Sequence, residues 1–516
     1  MTSARADGLL ALKESRALLP LWLASAVAMG AAIAAGGAGG LLFLGGLSAF
    51  ALGSAGLGAY SVGHEYAHGT LGVLLAQPCA RSRLLLAKAV VLVPSLAGLA
   101  LLAWVMLLGV PWAPAAPQSL TKTVLLLPPL LGLCVAPWLT MVCRSAVAGV
   151  VFTLAIPTAF WTAGQVTQAA AYGMVEVPFG DGLDFLSLWT GTLVASAVGL
   201  VAGQRMFFTL EAIDSSREMA LSGLLQRWVP RAGKAAGRRR RRHPLVALVG
   251  KEIRLQQPTF IVASLYLLAW AGIAIAGLSS VAVEGFLAIT VLYGGLIALL
   301  AGAVASAEER AFGTLASQVL QPVAAWKQWA VKVSTAFALT VVLAIVLPLA
   351  LERTHPVIGE TPVNWMLVGL SLVLTSSSLY VSSLCTGGLR AALLSMSFVA
   401  VAVPTFRVIA SASYRAGSSL TSPLLAAASA NWTRPLVLMT ETDIDWWMAT
   451  RSGLPVAVVS GLIVLALRLA ASNHRSAEGG RTRATRQIVA LAACTAIGAA
   501  IAGAVPPLLL WILATH

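Results

Sequence analysis

The sequence predicts an all-α polytopic membrane protein: two tandem parallel six-helix transmembrane repeats and one extra C-terminal span. Three observations carry that prediction. Of 516 residues, 58% are hydrophobic and only 10% charged, against about a quarter charged in soluble domains, too few to cover a water-soluble fold of this size. Apolar stretches of bilayer-spanning length, about 20 residues, recur along nearly the whole chain. A set of charged motifs then appears twice, in the same order and direction, in the two halves of the chain.

Backbone polar groups in lipid must be satisfied within the segment, so these runs read as helices; they lack the alternation of short barrel strands. Spans are expected at 18–36, 40–62, 85–110, 120–142, 145–166 and 185–205, then at 258–278, 285–305, 328–350, 364–385, 388–412, 453–471 and 487–511. The organisation is a first six-span unit over 1–205, a basic cytoplasmic linker over 206–245, a second six-span unit over 246–471, and a basic loop with the extra span over 472–516.

Charge sets the orientation. The net charge of +15 is concentrated: twelve Lys/Arg lie from Arg205 to Arg254, including the run Arg238 to Arg242. Other basic residues (Lys13, Arg16, Arg81, Arg83, Lys88, Arg144) flank spans. This is the positive-inside pattern beside anionic headgroups, not a nucleic-acid footprint. Segment 167–184, acidic without Lys/Arg, and segment 413–452, with Trp432, Trp446 and Trp447, are expected outside. Segment 472–486, with four arginines, is expected inside. The N-terminus is then cytoplasmic, in an inner membrane. Lys13, Glu14 and Arg16 interrupt the first residues, so no cleavable signal peptide is expected. The five cysteines have no CxxC spacing and read as small core residues.

Glu65-Tyr66-Ala67-His68-Gly69-Thr70-Leu71 returns 244 positions later as Glu309-Arg310-Ala311-Phe312-Gly313-Thr314-Leu315. In the same register Gln77-Pro78 falls on Gln321-Pro322, Arg83 on Lys327 and Lys88 on Lys332. Before the first span of each half, Lys13-Glu14-Ser15-Arg16 with Pro20 matches Lys251-Glu252-Ile253-Arg254 with Pro258, a spacing of 238. Cys143 and Cys385 give a weaker match.

The earlier anchor suits a helix lying in the membrane surface and turned into the bilayer at Pro20 or Pro258. The later one lies between the second and third spans. There Glu65 or Glu309 complements a helix start, while Arg81, Arg83, Lys327 and Lys88 or Lys332 complement the far end or the headgroups. Leu71, Leu74 and Leu75, like Leu315, Val319 and Leu320, form an apolar ridge that could dock in a partner's groove.

Taken together, Glu-x-x-x-Gly-Thr-Leu, Gln-Pro and closing basic residues, preceded by Lys-Glu-x-Arg, resemble the permease subunits of ABC transporters of the second export type. The resemblance covers residues 8–205 and 246–471. It implies six-span units whose loop between the second and third spans contacts an ATPase. On these positions it implies coupling segments carrying Glu65, Gly69, Thr70, Leu71, Arg81 and Arg83, and Glu309, Gly313, Thr314, Leu315 and Lys327. It also implies elbow helices carrying Lys13, Glu14 and Arg16, and Lys251, Glu252 and Arg254. Two such units in one chain imply a complete exporter pathway without enzymatic activity of its own. Gly233-Lys234-Ala235 lacks the Ser/Thr and upstream Gly of a P-loop, so ATP and Mg would be bound by separate ATPase subunits, two copies on two coupling segments. Spans rich in Ala, Gly, Leu and Val suit an amphiphilic or lipid-like substrate, and the thirteenth span departs from the family pattern.

The competing motif is His64-Glu65-Tyr66-Ala67-His68, a literal H-E-x-x-H. On a helix it would set two imidazoles on zinc with Glu65 as general base, as in a membrane-embedded metalloprotease. The second copy keeps Glu309 but has Glu308 and Phe312 in place of the histidines. No further His precedes His243 as a third ligand.

Overall fold

The computed structural model describes residues 3–36, 41–67, 69–76, 79–108, 118–172, 183–209, 244–276, 280–311, 323–354, 363–431, 441–474 and 481–515. No strand occurs among them. The elements are α1 (Ser3–Gly36), α2 (Leu41–Ala67), α3 (Leu71–Leu75), α4 (Arg81–Leu108), α5 (Gln118–Cys134), α6 (Ala136–Cys143), α7 (Ala146–Tyr172) and α8 (Leu183–Thr209). After the linker come α9 (Pro244–Leu255), α10 (Gln257–Ala276), α11 (Ser280–Ala311), α12 (Ala325–Leu339), a π-helical stretch (Thr340–Val346) and α13 (Leu347–Thr354). The last four are α14 (Val363–Ser382), α15 (Gly388–Asn431), α16 (Glu441–His474) and α17 (Arg481–Thr515).

Among the described residues, 11 helices are long and apolar enough to cross a membrane, or 12 if the pair Leu125–Cys134 and Ala136–Cys143, bent by 41°, is one span. The protein is an all-α, polytopic integral membrane protein. The expected fourth span is that bent pair, α5 and α6, and the tenth holds only the shorter apolar helix Leu367–Ser382.

Two local expectations are corrected. Helix α1 runs unbroken through Pro20, so the amphipathic start and the first span are one helix without a turn. Its matched region does break, at Gln256 between α9 and α10, where Pro258 stands in the first turn and needs no backbone donor. The Gln256 side chain reaches across to donate to the Ala301 carbonyl at 2.9 Å. Finally, most of 413–452 is helical rather than loop, because α15 continues to Asn431 and α16 starts at Glu441. The linker's arginine run lies outside the described residues.

The described chain forms two compact units, Met1–Ser397 and Phe398–His516, divided within α15. In the first unit α2 and α11 are the most enclosed spans, 72% and 78% buried against 28% for α4. Helix α4 instead presents Leu86, Val90 and Leu101 to lipid. The enclosure depends on small residues that let backbones meet without a hydrophobic driving force between helices. A methyl group on Gly58 of α2 would overlap the Gly132 carbonyl of α5, and one on Gly302 of α11 would press on the Thr375 carbonyl of α14. Polar side chains add cross-links: Ser397 Oγ donates to the Ala24 carbonyl at 2.6 Å, and Thr340 and Thr375 hydroxyls meet at 2.9 Å. The π-helical turn leaves the Leu343 carbonyl available, and the Tyr293 hydroxyl donates to it at 2.8 Å.

In the second unit Gly498 of α17 sits against Val458 of α16. Buried Asn473 and Gln487 exchange two amide hydrogen bonds, 3.0 and 2.9 Å, pinning the end of α16 to the start of α17.

Candidate functional site

A lysine seven residues into an apolar helix is costly unless its charge and its three N–H donors are satisfied. Lys88 on α4 and Lys332 on α12 are in that position, and both are buried. Around Lys88 the ammonium meets Glu14 Oε1 of α1 at 3.0 Å, Glu65 Oε1 of α2 at 3.2 Å and the Ser61 carbonyl at 2.7 Å. Lys13 approaches the same Glu65 oxygen from the surface, at 3.3 Å.

Around Lys332 the ammonium meets Glu252 Oε1 of α9 at 2.9 Å, Glu309 Oε2 of α11 at 2.7 Å and the Ala305 carbonyl at 2.8 Å. Lys251 reaches Glu309 Oε1 at 2.6 Å. Every member of one network is matched in the other at the offsets read from the sequence. Each contains two lysines and two glutamates, so each is neutral as a set. Burial pushes the Glu252 carboxyl above the ordinary carboxylate range, against the pull of Lys332.

These contacts correct the reading of several residues. Glu65 and Glu309 occupy the last turns of α2 and α11 rather than helix starts, and both are buried. Lys88 and Lys332 are the centres of the networks, not headgroup or dipole partners. Local pattern misses this because the partners lie 74 and 80 positions away. The available signal was a lysine retained in both copies inside an apolar run, which needs a buried counter-charge. Arg16, Arg83, Arg254 and Lys327 are exposed, and Arg81 bonds the Phe208 carbonyl.

The chain leaves α2 by a defined stop. Gly69 takes a left-handed φ of +63°, the Gly69 amide bonds the Tyr66 carbonyl and the Thr70 amide bonds the Glu65 carbonyl at 3.0 Å. The Gly of Gly-Thr-Leu therefore ends the span, and α3 starts directly after Thr70. Leu71 and Leu74 do not form an exposed ridge: both are buried, and Leu74 packs in a cluster with Val62, Leu84, Met141 and Phe207. Val73, 67% exposed, is an apolar residue that α3 offers outward. The counterpart residues Gly313, Thr314, Leu315, Val319 and Leu320, with both Gln-Pro pairs and His68, lie outside the described residues.

No family model, curated protein or solved structure matches this chain.

His64 is a polar position beside the first network where the halves differ. Its Nδ1 bonds the Tyr60 carbonyl at 2.8 Å, and its Nε2 lies 3.7 Å from Glu65 and 4.0 Å from Glu14. Glu14, His64 and Glu65 thus bring three metal-capable atoms within 4.8 Å of one another. The Lys88 ammonium already stands against both carboxylates, in the place a cation would take. At the matched position Glu308 accepts a hydrogen bond from the Gly388 amide at the start of α15.

Proposed function

We propose that the protein is the membrane permease of an ATP-driven exporter, with two six-span units in one chain, its N-terminus cytoplasmic, and separate ATPase subunits acting on the segments between the second and third spans of each unit. The observation that supports this reading is the pair of equivalent charge networks. Each ties the pre-span helix, the end of the second span and the start of the third span to one lysine, so the short connection carrying α3 is mounted on a rigid base. A push on that connection would move spans rather than bend a loop, which is what alternating access driven from outside the membrane requires. The buried glutamates and lysines set the mechanical base, while exposed Val73 and Trp326 are the contact side chains.

The test is affinity purification of the full chain from its native membranes in mild detergent. A co-purifying P-loop ATPase is expected, with ATP hydrolysis that falls in the Val73→Asp, Trp326→Asp double variant while yield and membrane insertion are unchanged. Absence of any ATPase, or wild-type retention of it by the double variant, would sink the reading.

The Glu14, His64, Glu65 grouping favours a second reading, a zinc metalloprotease. That site would require Lys88 to leave both carboxylates. Stoichiometric zinc in chelator-washed protein, lost in His64→Ala, would establish it in place of the permease.

A further inference from the structure

The second unit contains a cavity of about 340 Å³, within the range of small-ligand sites. It is bounded by α15, α16 and α17, and so includes the thirteenth span, which the permease reading leaves without a role. Its lining is polarised along the membrane normal. Arg451 lies three residues inside the start of the apolar window Met448–His474, and Arg415 lies seven residues before the end of the window Gly388–Ser422. Both arginines are therefore near the same membrane boundary. Ala410 is five residues deeper on α15 than Arg415, about 7.5 Å of helix rise. Ala502 and Gly503 of α17 stand deeper than its boundary end in the same way. Tyr414 connects the two regions, its ring centroid 6.0 Å from the Arg451 guanidinium. The backbones come close behind the cavity, since a methyl group on Gly503 would overlap the Ala410 carbonyl.

A cavity with two guanidinium groups at the headgroup level and an Ala/Gly wall beneath them matches an amphiphile with an anionic head. Guanidinium is the side chain best suited to phosphate, through paired N–H donors. We propose that this cavity binds an anionic phospholipid, with the phosphate between Arg415 and Arg451 and the first chain carbons against Ala410 and Gly503. The proposal does not depend on an ATPase partner.

The test uses the full chain, delipidated in a neutral detergent, titrated with dioctanoyl-phosphatidylglycerol, dioctanoyl-phosphatidylcholine and inorganic phosphate and read by native mass spectrometry. Phosphatidylglycerol should bind more tightly than either comparison probe. Its affinity should fall about ten-fold or more in the Arg415→Gln, Arg451→Gln double variant, and by less in each single variant, which also covers the case of a double variant that fails to fold. Arg407→Gln, an exposed arginine on the same helix outside the cavity, should leave it unchanged. Wild-type affinity in the double or both single variants, equal binding of phosphatidylcholine or inorganic phosphate, or an equal loss in Arg407→Gln would each overturn the proposal.

Discussion

The networks around Lys88 and Lys332 share their four charges and their lysine-to-carbonyl bond, yet they differ in how the carboxylate oxygens are divided between the lysines. Around Lys332, Glu309 turns one oxygen to each lysine, at 2.6 and 2.7 Å. Around Lys88, one oxygen of Glu65 serves both lysines, at 3.3 and 3.2 Å. The other oxygens of Glu14 and Glu65, with His64 Nε2, have no hydrogen-bond partner, and Glu309 Oε2 meets Lys332 as an ion pair without hydrogen-bond geometry. The four charges are the common framework. The fifth position, His64 or Glu308, gives each half its own character: one side chain stays against the charges and the other turns to the backbone of α15. Two ATPase docking sites on such bases would be similar in shape and unequal in stiffness.

The largest effect should come from removing the centre of each network. Lys332→Met leaves two buried carboxylates facing each other and should cost about 3–5 kcal/mol, the usual consequence of orphaning a buried charge. Lys88→Met should cost less, because its contacts to Glu14 and Glu65, 3.0 and 3.2 Å, are longer than the 2.9 and 2.7 Å that Lys332 makes. Apparent Tm values of the two variants in detergent check this. Equal losses would erase the distinction between the halves.

A smaller loss, about 1–3 kcal/mol for overpacking, is expected for Gly58→Ala and for Gly302→Ala. Gly58 should be the worse, since an added methyl would overlap the Gly132 carbonyl outright, whereas at Gly302 it would press on Ser378 Cβ, the Thr375 carbonyl and the Leu379 nitrogen at 2.6, 2.7 and 2.8 Å. Thermal unfolding of the two variants ranks them.

Exchanging the distinctive residues is a finer test. His64→Glu places a third carboxylate beside Glu14 and Glu65 and should lower the apparent Tm. Glu308→His should change stability little, because that position answers to the Gly388 amide and not to Lys332. Parallel responses of the two variants would break the comparison.

The smallest effect is chemical. Burial pushes the Cys385 thiol, at the turn before α15, up to about 11 against the opposing influence of Arg390 and Arg310. Maleimide labelling of Cys385 in a variant with the other cysteines replaced should stay low at pH 7.5 and rise only as pH approaches that value. Rapid labelling at pH 7.5 would mean that this turn opens.

Much of this architecture was legible in the sequence, for reasons of differing strength. Hydropathy located the spans because lipid imposes length and composition on every segment that crosses it. The duplicated Lys-Glu and Glu-x-x-x-Gly-Thr-Leu segments identified Glu14, Glu65, Glu252 and Glu309 as residues of interest. What those glutamates touch was not legible, since the pairing lysines are distant in sequence and local reasoning assigned them to headgroups. The stop of α2 just before Gly69 was not read, since the span was expected at 40–62 and Glu65 at a helix start, although a glycine in the left-handed region is a common helix terminator. Nor was the unbroken helix through Pro20, because a proline in a helix next to membrane can be tolerated when neighbours satisfy the freed carbonyl.

The order in which the networks are made has a consequence for biogenesis. Synthesis runs from the N-terminus, so Glu14 and Glu65, and likewise Glu252 and Glu309, are made before the lysine at the centre of their network. Each buried pair of glutamates stays without that lysine until the next span begins, 23 residues after Glu65. Lateral release of the first two spans into lipid is therefore unfavourable before the third is made. Each half has to leave the insertion machinery as a group of at least three spans, and a chain truncated before Lys88 or Lys332 would be retained there or degraded.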